Sequence, residues 1–121
     1  MKFRNKKSCC EPFEHYTFTD FFCDNELADI NNINYLRIEF IEDSEKSWLE
    51  PHVDISEKLM SFLVYLNNTG ESESIGTALY NTDKEYIKTV PFINNQGFYF
   101  YPSNDTWHGL ESVQIKERRR A

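Results

Sequence analysis

From residue 35 onward, apolar and polar side chains alternate in short runs, the period of a pleated strand. Over residues 35–41, Leu36, Ile38 and Phe40 share one face. Residues 50–55 predict a second strand. Residues 58–67 are mostly apolar, as expected of a strand covered on both faces. The run Asn67-Asn68-Thr69-Gly70-Glu71-Ser72 then breaks the pattern with turn formers. Strands over 76–81 and 85–92 follow. Asn94-Asn95-Gln96-Gly97 makes a tight turn into a strand over 98–101. Pro102-Ser103-Asn104-Asp105 is a loop that ends at Trp107-His108, and residues 113–120 hold a last strand. Ahead of residue 35 the period changes. Within residues 17–30, Leu27 and Ile30 are spaced to bury one helical stripe, Thr19 or Asp20 is placed to cap it, and Asn31-Asn32 ends it. Residues 1–12 read as a loose tail.

About seven short strands after one short N-terminal helix predict a mainly β domain, either a sandwich or a wound double-sheet barrel. Of these, a double-stranded β-helix (a cupin-like jelly roll) is favoured. The chain has 121 residues, which suits a single domain over 13–121 after a tail over 1–12. A hydrophobic fraction of 40% excludes a disordered chain. The net charge of −7 argues against a phosphate-backbone binder, so nucleic acid is not an expected partner. Neither the basic cluster between Lys2 and Lys7 nor Arg118-Arg119-Arg120 is long enough to reverse that sign. Apolar runs are only a few residues long, so no membrane span is predicted, and residues 1–10 hold no apolar signal core. Cys9, Cys10 and Cys23 are odd in number and lack a C-x-x-C spacing. They are expected to be free thiols in a reducing cytoplasm.

The chemistry concentrates in Pro51-His52-Val53-Asp54-Ile55. On a strand, residues i and i+2 project from one face, so His52 and Asp54 would stand together, with Val53 and Ile55 packing on the other side. His108, in Thr106-Trp107-His108-Gly109, is the candidate third ligand. Gly109 beside it permits close backbone approach. Two imidazoles and one carboxylate form the facial triad of non-haem iron(II) sites, which leaves half the coordination sphere open. His15 lacks such neighbours and is expected to be a surface or packing residue.

Further motifs surround these ligands in order. Residues 49–59 are similar to the H-x-D region of prolyl-hydroxylase-like oxygenases, which depend on iron(II) and 2-oxoglutarate. Val64-Tyr65-Leu66-Asn67 resembles the strand that follows, and Gly76-Thr77-Ala78-Leu79-Tyr80 the later glycine-led strand. Gly97-Phe98-Tyr99-Phe100 and Trp107-His108-Gly109 resemble the approach to the distal histidine. The resemblance covers the chain from about residue 35 onward. It implies iron(II) on His52, Asp54 and His108, with 2-oxoglutarate as co-substrate and dioxygen as oxidant. It implies hydroxylation of a small-molecule or peptidyl substrate, with succinate and carbon dioxide as co-products. It also implies a basic anchor for the far carboxylate of 2-oxoglutarate about ten residues after His108. Arg119 is the first choice and Arg118 the second, since the planar guanidinium fork matches a carboxylate. Tyr65, on the face of its strand shared by Ser61 and Leu63, is either a second contact for that carboxylate or a core tyrosine whose hydroxyl bonds the backbone.

Trp107 and Tyr80 are either pocket walls or, more simply, core packing. Members of the family continue through an apolar strand beyond the arginines. The expected fold lacks that strand, which leaves the arginines near a fraying end and invites a second copy or a partner to complete the sheet. The alternative function is a degenerate oxygenase-fold sandwich retained as a binding module.

Overall fold

The computed structural model describes residues 4–19, 36–111 and 119–121. It is mainly β. One antiparallel sheet has the order β1 (Arg4–Cys9), β2 (His15–Thr19), β8 (Gly97–Phe100), β5 (Ser61–Val64). The other has the order β4 (Leu49–His52), β9 (His108–Leu110), β6 (Ala78–Tyr80), β7 (Tyr86–Thr89). A third, two-stranded sheet pairs β3 (Glu42–Asp43) with β10 (Arg119–Arg120). Between β4 and β9 the chain passes back and forth between the two larger sheets. Apart from the β6–β7 hairpin, successive strands in this stretch therefore lie in different sheets, and the two sheets share one core.

That interior is aromatic. Leu63, Phe98 and Phe100 from the first sheet meet Leu79 from the second, with Phe13, Tyr65, Ile75, Val90 and Phe92 completing the cluster. The register explains the choice of side chains. Leu63 pairs with Phe98 and Ser61 with Phe100, so these four share one face of the sheet. Phe62 and Tyr99 pair on the opposite face. Phe98 and Phe100 are fully buried, and each large ring there removes apolar area worth roughly 2–3 kcal/mol from water. His15 also lies in this layer. It is 1% exposed, its Nδ1–H donates to the Phe13 carbonyl, and its ring meets Phe98 and Phe13 edge to face. It is a packing residue.

Several expectations change. Arg4–Cys9 form an edge strand on β2 where a loose tail was expected; Asn5, Lys6, Lys7 and Ser8 are exposed, so the composition looks like that of a solvated end. The predicted helix over 17–30 is not seen: residues 17–19 belong to β2, and the rest lies outside the described residues. Residues 36–41 form no strand, although their alternation is the strongest in the sequence. Leu36, Ile38 and Phe40 are exposed there, and alternation without a second surface to pack against does not hold a ladder. The end of that segment is tied: Ile41 N–H donates to the Ala121 carbonyl at 2.7 Å, and Ala121 N–H to the Ile41 carbonyl at 2.9 Å. This pairing extends β3–β10 and fixes Arg119, where fraying was expected. The strand predicted over 58–67 shrinks to Ser61–Val64 and is only half covered. The strand over 113–120 is seen as Arg119–Arg120, with 113–118 outside the described residues. Cys9 and Cys10 are free thiols, and Cys23 lies outside the described residues. Among the described residues no helix is long and apolar enough to cross a membrane.

Candidate metal centre

His52 ends β4 and His108 begins β9, and the two are directly opposed in the ladder. Cross-strand partners share a face, so both imidazoles project to the same side, with ring centroids 4.4 Å apart. On the other flank of β9, His108 pairs with Leu79 of β6, which seats it against the core; its ring also packs on Phe100 at 5.0 Å. The approach of β4 to β9 depends on Gly109. A Cβ at that position would lie 2.5 Å from the Leu49 carbonyl oxygen and 3.1 Å from that of Glu50. Only glycine lets the backbones run this close.

Asp54 follows β4, two residues past His52, in irregular chain rather than on the strand. Its neighbours accordingly do not pack as strand residues would: Ile55 is 64% exposed, against the expectation that it covers the opposite face. The carboxylate nevertheless turns toward the histidines. Asp54 Oδ1 lies 3.8 Å from His108 Nε2, and donor atoms of His52, Asp54 and His108 all fall within 4.8 Å of one another. Two ligands about 2.1 Å from a common ion are about 3.0 Å apart when cis and about 4.2 Å when trans. A facial triad needs the cis spacing throughout, so the Asp54–His108 pair is open by about 0.8 Å and the widest pair by up to about 1.8 Å.

The protonation states suit ligation. His52 Nδ1–H donates to the Glu50 carbonyl at 3.0 Å, and His108 Nδ1–H to the Thr106 carbonyl at 2.8 Å. A carbonyl only accepts, so in each ring Nδ1 carries the proton and Nε2 keeps its lone pair. Burial lowers the His108 pKa despite the raising effect of its bond to Thr106, so the ring is neutral at neutral pH. Burial pushes the Asp54 carboxyl up. The Ser61 hydrogen bond, a protonated His108 and the Lys58 ammonium outweigh that and hold it below the usual carboxylate range.

Tyr65 and Arg119, predicted as co-substrate contacts, meet in a second buried cluster. Tyr65 is fully buried; its hydroxyl donates to Thr77 Oγ1 at 2.7 Å and accepts from Thr77 N–H at 3.1 Å. Arg119 is 4% exposed, with its guanidinium carbon 5.7 Å from the ring centroids of Tyr65 and Phe92. Its Nε–H donates to the Ile75 carbonyl at 2.8 Å, one terminal nitrogen to Thr77 Oγ1 at 3.4 Å, and the other to Asp43 Oδ2 at 2.7 Å. Arg118, the second choice, lies outside the described residues. The two clusters share β5 and its continuation: Ser61 bonds Asp54 at one end, Leu63 packs on the core, and Tyr65 bonds Thr77 at the other. From Ser61 to Tyr65 is roughly 13 Å of extended chain.

Trp107 and Tyr80 have partners elsewhere. The Lys84 ammonium lies 4.6 Å from the Trp107 ring, and Tyr80 donates to Glu111 at 2.6 Å. Sequence reasoning missed Ser61, Lys58, Thr77 and Asp43. A period-two reading of β5 offered Ser61 as an inward neighbour of Tyr65. Asp43 carries no local signal, because its partner is 76 residues away.

By residue type and tautomer, His52, Asp54 and His108 form a donor set that could hold a metal ion. All three guanidinium nitrogens of Arg119 already donate within the chain, to Ile75, Asp43 and Thr77. No protein-family model, no curated protein and no solved structure matches this chain.

Proposed function

We propose that the chain is a non-haem iron(II)- and 2-oxoglutarate-dependent oxygenase on a double-stranded β-helix, hydroxylating a small-molecule or peptidyl substrate. The observation that carries the reading is the convergence of His52, Asp54 and His108 with both Nε2 lone pairs left free. The three side chains would hold the ion on one face and leave the opposite positions open. When bound, iron(II) would activate dioxygen as the oxidant, with 2-oxoglutarate giving two electrons and taking one oxygen atom as it becomes succinate and carbon dioxide, and the other oxygen atom entering a substrate C–H bond. Arg119, with the Thr77 and Tyr65 hydroxyls, would receive the far carboxylate of the co-substrate. Phe100 belongs to the apolar core, and Leu63, between Ser61 and Tyr65 on β5, packs against it.

The test is anaerobic titration with iron(II) and then 2-oxoglutarate. A weak visible charge-transfer band that needs both, followed by succinate release in air with a substrate, is expected. Iron uptake with no response to 2-oxoglutarate contradicts the reading.

A second reading, a sandwich retained as a binding module, is favoured by one observation. Asp43 already occupies the Arg119 fork, so the anchor is neutralised from within. Iron-independent folding with no iron uptake would select it.

A further inference from the structure

Asp54 has two side-chain partners. Ser61 Oγ–H donates to Oδ2 at 2.5 Å, and the Lys58 ammonium donates to Oδ1 at 3.1 Å. Oδ1 is also the oxygen that faces His108 Nε2 at 3.8 Å. An ion shared by Asp54 and His108 would bind at that same oxygen. We infer that Lys58 is an internal cation standing on the metal's position at Asp54, so that metal uptake is an exchange in which the ammonium leaves as the ion enters. This rests on reading His52, Asp54 and His108 as a metal site.

Three features make the exchange feasible. The first is like charge: an ammonium and a divalent ion on one oxygen repel strongly at that range, where the half-buried setting weakens water's screening. The second is unequal exposure. The Lys58 side chain is 46% exposed and that of Asp54 only 11%, so the lysine has solvent to retreat into and the carboxylate does not. The third is reach. Lys58 N–H donates to the Ile55 carbonyl, closing a turn that returns the side chain over Asp54 four residues back. Ser61 takes no part in the exchange, because it holds Oδ2 and leaves Oδ1 as the single oxygen for the incoming ion.

In the metal-free protein the lysine thus compensates the charge of a partly buried carboxylate whose other hydrogen-bond partner, Ser61, is neutral. It keeps the site assembled while empty and lowers its affinity for metal. Lys58 is a positioning residue with an opposing effect on binding.

The test is titration of the full chain with Mn(II), following the electron paramagnetic resonance signal of the free ion. Lys58→Met is expected to bind Mn(II) about 3- to 10-fold tighter than the parent, the size of a lost exposed pair plus relieved repulsion. Lys58→Arg, which keeps the charge, is expected to stay within about twofold of the parent. Lys58→Gln replaces Lys58→Met should the latter not fold. A neutral variant that is folded by circular dichroism but binds Mn(II) no tighter than the parent overturns the inference. If the parent binds Mn(II), and His108→Ala abolishes that binding while Lys58→Met leaves it unchanged, the metal site stands and the exchange alone falls. If neither parent nor Lys58→Met takes up Mn(II), both fall.

Discussion

Gly109→Ala tests how the fold holds the ligands, because the added methyl touches both the sheet and the site. It would enter 2.5 Å from the Leu49 carbonyl oxygen, whereas ordinary contact begins at 3.4 Å, so β4 and β9 must part locally by about 0.9 Å. Backbone cannot rotate away as a flexible side chain would, and overpacking of this kind costs about 1–3 kcal/mol. With a urea slope of about 1–3 kcal/mol per molar for a small domain, the midpoint should fall by about 1 M. The same methyl lies 3.1 Å from the Glu50 carbonyl, which orients His52 through its Nδ1–H. Loss of such an outer partner typically weakens metal binding about 10- to 100-fold, and the lower end is expected here. Gly70→Ala is the matched control. Gly70 has φ +74° but open space around it, so alanine there adds about 1 kcal/mol of backbone strain and leaves metal affinity alone. Urea unfolding followed by fluorescence, with Mn(II) titration of both variants, separates the two effects. A Gly109→Ala protein with parental midpoint and affinity would refute the close approach of β4 to β9.

Tyr65→Phe removes the partner of the Thr77 N–H and hydroxyl in a fully buried place, so urea unfolding should show a loss of about 1–3 kcal/mol. A change below about 0.5 kcal/mol would mean that the cluster is not held this way. Asp43→Asn removes the internal charge from Arg119. It should cost about 1–2 kcal/mol of stability and tighten 2-oxoglutarate binding to the iron-loaded protein, as read by the charge-transfer band; weaker binding would make Asp43 an orienter of Arg119 and no competitor. Burial lowers the pKa of both His15 and His108, so between those values and 6.5 the unfolded chain binds more protons than the folded one. Metal-free stability should therefore fall as pH drops through and below 6.5. Asp54, held below the usual carboxylate range, loses its contribution only below about pH 4 and leaves this window unaffected. Equal urea midpoints at pH 7 and pH 5 would contradict the neutral burial of the two rings.

Strand existence was legible wherever alternation coincided with a partner surface. The aromatic runs that became β8 and the β6 segment needed only period two and flanking turns. Residues 36–41 show the limit: Leu36, Ile38 and Phe40 alternate cleanly yet stand exposed, because pattern specifies a face and not what covers it. The charged Arg4–Cys9 segment shows the converse, since an edge strand gains its hydrogen bonds from the backbone and can carry any polar side chain. The triad was readable because His52 and Asp54 are close in sequence and His108 has a glycine beside it. The contacts that tune it were hidden by distance along the chain. Arg119 finds the Ile75 carbonyl 44 residues back and Asp43 76 residues back, and no local rule marks either.

The most direct measurement is the iron(II) stoichiometry of the anaerobic full chain, with His52→Ala, Asp54→Ala and His108→Ala beside it. One ion per parent chain, and loss of tight binding in each folded variant, is predicted. Retention of the ion by the His108→Ala protein, or no uptake by the parent, would contradict a shared centre built from these three side chains.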